Sequence, residues 1–274
     1  MTSPLVLYEP SPEGITVITI NRPHVRNAVN NATAQDLAAA FTSFHTDASQ
    51  KVCILTGAGN TFCAGYDLHE AASSSSSSSA PETLPAQPVD RLNGALGPMG
   101  PSRMSFTKPV IAAVSGHAVA GGLELSLLAD LRVVDRSAVF GVFCRRFGVP
   151  LIDGGTVRLQ RVVGQGRAMD MILTGRAVGA EEAMHWGLAN RLAEQGGCLE
   201  EAKRLARGLL LFPEGCMRAD LRSARYADEE AAGLEDALRF EFEGGLEVLG
   251  ESLAGAKRFE AGEGRGGRFP GSKL

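Results

Sequence analysis

Short β-rich runs alternate with glycine-bearing loops and helical stretches through most of this 274-residue chain. KVCILTG precedes the loop AGNTFCAGYDL, and VIAAV (residues 110–114) precedes a glycine pair and a helical pattern from about residue 121. LRVV and the segment VFGVF follow, and another helix is predicted from about residue 154. Strands that alternate with helices through glycine-rich turns are typical of α/β proteins. We therefore predict an α/β fold.

The N-terminal residues predict a hairpin followed by one amphipathic helix. LVLYE and ITVITI are β-rich runs separated by the turn SPEG. Downstream, Leu37, Phe41 and Phe44 recur at spacings of four and three, which predicts a helix with one apolar face. Thr33 is the predicted N-cap of this helix.

Composition restricts the function classes. A net charge of −4 and a pI near 5.8 do not indicate a nucleic-acid partner. No apolar run approaches the roughly 18–20 residues needed to span a bilayer, and the N-terminus lacks the pattern of a secretory signal. The five cysteines form no CxxC pair, which favours reduced thiols and a cytoplasmic location. The scattered histidines predict no metal site.

The chain divides into a core and a helical C-terminal region. We predict a core at 1–197, an oligomerisation region rich in helix at 198–261 and a flexible tail at 262–274. Within the core, about residues 71–103 hold the serine run Ser73–Ser79 and many prolines, which cannot build a core. This insert is either a mobile loop over the domain or a plain disordered linker.

The stretch HAVAGGLELSLLAD (residues 117–130) holds the strongest candidates for catalytic residues. The first amides of a helix have no partner in that helix, and Gly121 and Gly122 would leave them accessible to a negative oxygen. The loop AGYDL (residues 64–68) offers a similar feature, so the two loops could together form an oxyanion hole. Glu124, about one turn further on, is then placed for proton transfer. Close helix packing is the alternative reason for the glycine pair.

Five blocks resemble the crotonase superfamily, the enoyl-CoA hydratase/isomerase family, in the same order between residues 5 and 193. They are ITVITINRPHVRNAVN, FCAGYDL, KPVIAAVSGHAVAGGLELSLLADLRV, FGVFCRRFGVPLIDGGTVRLQRVVG and MILTGRAVGAEEAMHWGLANRL. The resemblance implies a spiral of repeated ββα units with a helical C-terminal trimerisation region, in a homotrimer or a dimer of trimers.

The resemblance also implies an acyl-CoA thioester substrate and an enolate-like intermediate, with coenzyme A as part of the substrate and no separate cofactor. The oxyanion hole would be the amides of Tyr66 and Gly121, with Glu124 as acid/base. The residues implied near the coenzyme A nucleotide are His24, Val25, Arg26, Ala28, Ala64, Asp67 and Leu68.

One position departs from the family pattern. Hydratases of the family use two glutamates, and Cys144 stands where the second is expected, either as a buried thiol or as an unusual proton carrier. Asp153 is either the missing acid or the N-cap of a helix beginning at Gly154. Two alternatives therefore remain beside a hydratase: a non-catalytic acyl-CoA-binding homologue, and a single-carboxylate isomerase or another crotonase-type lyase or hydrolase.

Three further side chains each have two possible roles. Arg145 and Arg146 could bind an acidic acyl group in the wall of an active site, or they could lie on a solvated face. His117 could line the acyl pocket, or it could be a structural histidine.

Overall fold

A computed structural model describes residues 3–74 and 96–264, and it has the predicted α/β architecture. The strands are β1 (Val6–Pro10), β2 (Ile15–Ile20), β3 (Val52–Gly57), β4 (Val110–Val114), β5 (His117–Val119), β6 (Leu131–Asp135), β7 (Val139–Gly141), β8 (Ala177–Gly179) and β9 (Arg191–Ala193). The helices are α1 (Asn31–Thr46), α2 (Leu68–Ser74), α3 (Gly121–Leu128), α4 (Gly155–Val163), α5 (Gln165–Thr174), α6 (Ala180–Trp186), α7 (Cys198–Leu209), α8 (Glu214–Glu229), α9 (Leu234–Glu247) and α10 (Leu249–Glu260). Single 3-10 turns lie at Pro23–Val25, Pro101–Arg103 and Phe143–Phe147.

The strands form two sheets. The six-stranded sheet has the order β1-β2-β3-β4-β6-β9, in which β1 and β2 form the predicted antiparallel hairpin and every other neighbouring pair is parallel. The three-stranded sheet has the order β5-β7-β8. Since β5 follows β4 after only two residues, the chain passes from one sheet to the other immediately before α3.

Both faces of the larger sheet are covered. Ile54, Ile111 and Val133 pack against α7, whereas Leu55 and Ala112 face the main core. Successive side chains of a strand point to opposite faces, so a strand covered on both sides carries a continuous apolar run, as VCIL at residues 52–55 does.

Helix α1 begins before the predicted cap. The N-cap is Asn30, whose Oδ1 accepts from the Thr33 amide at 3.0 Å and from the Thr33 hydroxyl at 2.6 Å. The prediction that Thr33 caps the helix was therefore wrong, because Thr33 lies inside the first turn. Leu37, Phe41 and Phe44 are fully buried, as their spacing predicted.

The serine- and proline-rich insert lies partly outside the described residues, which omit 75–95 and also 265–274 of the predicted tail. Its ends are folded. Residues 71–74 complete α2, and the turn at 97–103 lies in the interior, where Met99 and Ser102 are each only 1% exposed. The prediction of a mobile stretch as far as residue 103 was therefore wrong at its C-terminal end.

The C-terminal region is helical. Helices α8 and α9 meet through the stacked rings of Tyr226 and Phe240, and Glu251 of α10 accepts from the first amides of α8. Arg225 of α8 pairs with Asp130 at 2.6 Å and joins this region to the core. Within residues 3–74 and 96–264, no helix is both long and apolar enough to cross a membrane.

Candidate active site

The two glycine loops singled out in the sequence lie side by side. Cys63 donates to the His117 carbonyl oxygen at 2.8 Å and accepts from the Val119 amide at 3.1 Å, which aligns the first loop with β5. Gly65 has φ +99°, and a Cβ atom placed there would stand 3.0 Å from the Gly121 nitrogen. Only glycine fits this conformation and this approach without strain.

Two backbone amides remain available at this junction. Neither the Tyr66 amide nor the Gly121 amide donates a hydrogen bond to any acceptor in the described part of the chain. Gly121 is the first residue of α3, so its amide also benefits from the positive end of the helix dipole. Together the two amides can bind a carbonyl oxygen that gains negative charge.

The junction opens into a cavity of about 100 Å³. The lining residues are Ala64, Tyr66, Leu68, Pro98, Met99, Ala120, Gly121, Glu124, Phe143, Cys144, Phe147, Val149, Pro150, Ile152 and Asp153. Most of these side chains are apolar. The ionisable ones in this lining are Tyr66, Glu124, Cys144 and Asp153. With Gly121, they make up all five predicted catalytic positions, which the structure therefore brings to one cavity.

Glu124 is held by the start of α4. Its Oε1 accepts from the amides of Asp153 at 2.9 Å and Gly155 at 2.8 Å, while its Oε2 accepts no hydrogen bond from a described residue. Burial, and after it the Asp153 charge, raise the pKa of Glu124 to about 7 against the opposing effect of the two amides. The carboxyl group can therefore both accept and release a proton near neutral pH.

Asp153 faces the turn at 97–103. Its Oδ1 accepts from the Met99 amide at 3.1 Å and from the Ser102 hydroxyl. Burial raises the pKa of Asp153, and these hydrogen bonds partly oppose that effect. Helix α4 begins at Gly155 with Gly154 as its N-cap and no side-chain cap, so the N-cap interpretation of Asp153 was wrong.

Cys144 lies in the 3-10 turn Phe143–Phe147 and is 8% exposed. Burial raises the pKa of its thiol, and the nearby Glu124 charge raises it further. A thiol with a raised pKa is neutral at pH 7 and is a poor substitute for a carboxylate. This environment favours the interpretation of Cys144 as a buried apolar wall residue.

The other predicted residues of this region lie outside the cavity. Arg145 donates to the Ile172 carbonyl oxygen at 3.1 Å, and the Arg146 guanidinium lies over the Phe143 ring, 4.2 Å from its centre. Both arginines are exposed, and neither lines the cavity. His117 begins β5 and is also absent from the lining.

The predicted nucleotide-binding residues form a second group, built from the loops at 22–29 and 64–68. The Ala64 amide donates to the Arg26 carbonyl oxygen at 3.0 Å, and Arg26 has φ +55°. His24 and Arg26 are exposed, so their side chains are accessible to a ligand.

Asp67 differs from the rest of this group. Its carboxylate is buried, pairs with Arg22 at 2.9 Å and accepts from the His69 amide near the start of α2. The Asp67 side chain therefore joins the two loops and is not available to a ligand.

Sequence reasoning missed the apolar wall of the cavity, above all Met99, Phe143 and Phe147. Met99 lies near the end of a stretch that is rich in serine and proline, and this composition hides it. One signal was present: Gly97 and Gly100 flank Met99, and such glycine pairs mark tight turns.

A family model for enoyl-CoA hydratase/isomerase matches residues 11–235. A mevalonyl-coenzyme A hydratase of Beauveria bassiana is 38% identical over 197 residues, covering 70% of this chain and 68% of the relative. A 2,3-dehydroadipyl-CoA hydratase of Escherichia coli is 35% identical over 222 residues, covering 80% of this chain and 82% of the relative. The crystal structure of enoyl-CoA hydratase EchA1 from Mycobacterium marinum superposes with a TM-score of 0.83 at 33% identity, covering 98% of this chain and all of that one.

The parallel sheet, the paired glycine loops and these matches together define a crotonase-type enzyme. The chain belongs to the enoyl-CoA hydratase/isomerase family.

Proposed function

We propose that the chain is an enoyl-CoA hydratase-type lyase that adds water to the double bond of an enoyl-CoA thioester and catalyses the reverse elimination. The observation that carries the proposal is the position of Glu124. Its Oε1 accepts from two amides and its Oε2 accepts no hydrogen bond from a described residue, in the cavity that Tyr66 and Gly121 also line. These two amides would bind the thioester oxygen as the enolate forms, an interaction in which each donor is worth about 2.7–4 kcal/mol.

The proposed proton transfer needs one carboxylate. Glu124 takes a proton from water as the water oxygen bonds to the β-carbon, and it returns a proton to the α-carbon as the enolate collapses. Glu124 is unchanged at the end, and no redox partner or cofactor beyond the coenzyme A of the substrate takes part. A pKa of about 7 suits both half-reactions, because neither protonation state is strongly favoured.

The loops at 22–29 and 64–68 would hold the coenzyme A portion. The exposed Arg26 side chain is the proposed partner of a phosphate, and the backbone of Ala64 to Leu68 would line the path into the cavity. The relatives named for mevalonyl-CoA and 2,3-dehydroadipyl-CoA hydration support a thioester of this kind.

We also propose a homotrimer or a dimer of trimers in a reducing, cytoplasmic setting. Leu234, Leu238, Phe242 and Leu246 recur every four residues along α9 and are all exposed, which leaves an apolar face for a second copy. All five cysteines are free thiols, and four of them are buried.

The test compares the unmodified protein with Glu124→Gln in three assays: hydration of crotonyl-CoA, isomerisation of a 3-enoyl-CoA, and solvent exchange of the α-proton of a saturated acyl-CoA. We expect hydration by the unmodified chain and a loss of about 10²–10⁴-fold in Glu124→Gln, with thioester binding retained. Ser126→Ala is the matched control, since the Ser126 hydroxyl lies in the same helix and, among the described residues, bonds only to the Leu123 carbonyl oxygen.

Each competing function has its own outcome. Turnover of the 3-enoyl-CoA without hydration would identify an isomerase. Thioester binding without turnover or exchange would identify a non-catalytic acyl-CoA-binding homologue.

A further inference from the structure

The turn Gly97–Gly100 is fitted closely against the start of α3. Gly97 and Gly100 exchange two backbone hydrogen bonds, of 3.2 and 2.8 Å. Gly100 has φ +79°, and a Cβ atom there would stand 2.3 Å from the Ala34 carbonyl oxygen. The turn therefore has little freedom to adopt another shape beside α1.

Met99, at the tip of this turn, packs on Gly121, whose amide is one of the two available. A Cβ atom on Gly121 would stand 2.6 Å from the Met99 sulfur and 2.9 Å from its Cγ. The Met99 side chain thus packs directly on the residue whose amide begins α3. Any movement of the turn would change the space in which a thioester oxygen can meet that amide.

Asp153 makes the polar contacts that hold the turn. Its Oδ1 accepts from the Met99 amide and the Ser102 hydroxyl, and a Cβ atom on Gly97 would collide with both Ser102 Oγ and Asp153 Oδ1. The Asp153 amide meanwhile donates to Glu124 Oε1. One residue therefore bonds to the turn through its side chain and to Glu124 through its backbone.

We propose that Asp153 is a positioning residue that fixes Met99 on Gly121 and so aligns the oxyanion amides with Glu124. This inference deepens the proposed function and rests on it. In this scheme Glu124 alone transfers the proton. Asp153 transfers none, and its Oδ1 accepts the hydrogen bonds that hold the turn.

The charge of Asp153 also affects Glu124, which gives a second way to test the proposal. The charged or titratable groups around Asp153 and Glu124 are Arg103 from the turn, Arg158 from α4 and Cys144 from the facing wall. Arg103 and Arg158 oppose the pKa rise at Asp153, and the Asp153 charge raises the pKa of Glu124. Removal of that charge should lower the pKa of Glu124.

The test compares Asp153→Asn with Asp153→Ala. The asparagine carbonyl oxygen can still accept from the Met99 amide and the Ser102 hydroxyl, whereas alanine loses both bonds. We expect Asp153→Asn to keep kcat within about tenfold of the unmodified enzyme, with the base-dependent rise of kcat/KM moved to lower pH. We expect Asp153→Ala to lose about 10²-fold, mostly in kcat, and Ser102→Ala to fall between the two.

Amide hydrogen exchange of residues 97–103 measures how rigidly the turn is held, and it does not depend on enzyme activity. Exchange should be fast in Asp153→Ala and slow in Asp153→Asn and the unmodified protein. Asp135→Ala is the matched control, because Asp135 is a buried aspartate that accepts from Ser137 and Gly196. It should lower the melting temperature without altering either exchange at 97–103 or the pH profile.

Three results would overturn the proposal. A 10²–10⁴-fold loss in Asp153→Asn, equal to that in Asp153→Ala, would make Asp153 a proton-transfer residue. Full activity in Asp153→Ala, or unchanged exchange at 97–103, would show that the turn does not depend on it. If the unmodified chain binds thioesters without turnover, the proposed function fails, and the exchange result alone still decides whether Asp153 holds the turn.

Discussion

At the scale of single residues, the charge of Glu124 is set by a competition between burial and hydrogen bonding. Its side chain lies in the core of the site at 3% exposure, and two amides donate to one of its oxygens. Burial has the larger effect, so the pKa rises to about 7. A carboxyl group in this state lowers the stability of the fold at neutral pH and is able to exchange protons there.

That competition predicts how Glu124→Gln changes stability with pH. The unfolded carboxyl ionises above about 4.5, whereas the folded carboxyl keeps its proton up to about pH 7. The free energy of unfolding of the unmodified protein should therefore fall between pH 4.5 and 7, by on the order of 3 kcal/mol from this residue. Glutamine does not titrate and can accept the same two amides.

Thermal unfolding of the two proteins at a series of pH values provides the measurement. The melting temperature of Glu124→Gln should exceed that of the unmodified protein at pH 8, and the difference should nearly vanish at pH 5. A difference independent of pH would show that Glu124 is already ionised in the folded protein at low pH.

Cys144 supplies the second prediction at this scale. Its thiol is neutral and mostly buried, so replacement by alanine removes apolar packing but no proton carrier. We expect Cys144→Ala to keep kcat/KM within about tenfold and to lose about 1–2 kcal/mol of stability. Steady-state kinetics with crotonyl-CoA and denaturant unfolding measure the two effects. A loss of 10² or more in kcat at unchanged stability would instead assign proton transfer to the thiol.

At the scale of elements, the start of α4 is the support on which Glu124 rests. A Cβ atom on Gly155 would stand 2.8 Å from the Glu124 Cγ and 3.0 Å from its Oε1. Gly155→Ala should therefore displace the carboxylate and lower kcat/KM by about 10²-fold, since a displacement of about 1 Å can cost that much. Kinetics and a crystal structure of the variant would measure the loss and the displacement.

Gly166 of α5 offers the matched control for Gly155. It also lies in a first helical turn, but a Cβ atom there meets nothing within 4 Å. Gly166→Ala should leave kinetics unchanged and stabilise the fold by up to about 1 kcal/mol. Equal kinetics for the two variants would show that Glu124 does not depend on the exact start of α4.

The sequence predicted those elements whose pattern is local. The helix face of Leu37, Phe41 and Phe44, the strands KVCILTG and VIAAV, and the start of α3 at Gly121 follow from spacing and glycine turns alone. The link between Asp153 and Ser102 joins residues 51 positions apart, and nothing in either neighbourhood indicates it. The two predicted caps failed for different reasons: Asn30, three residues earlier, caps α1 in place of Thr33, whereas the Asp153 side chain bonds to the distant Met99 and Ser102.

At the scale of the whole molecule, the C-terminal helices leave apolar surface uncovered. Leu234 is 76% exposed and Phe242 is 66% exposed, and both lie on the same face of α9. Scattered exposed apolar side chains are ordinary in soluble proteins, but a row at helical spacing is typical of an interface. Because Arg225 and Asp130 join α8 to the core, and α8 packs on α9, an assembly through α9 would also brace the core.

The last prediction concerns this assembly. Replacing both Leu238 and Phe242 by glutamate should convert the proposed trimer or hexamer into monomers, because burying two carboxylates at an interface costs several kcal/mol per copy. Light scattering after size-exclusion chromatography measures the mass, and circular dichroism checks that α9 still folds. Leu173→Glu is the control, since Leu173 of α5 is 70% exposed and lies outside the row on α9. Loss of assembly in Leu173→Glu but not in the double variant would place the interface on α5 instead of α9.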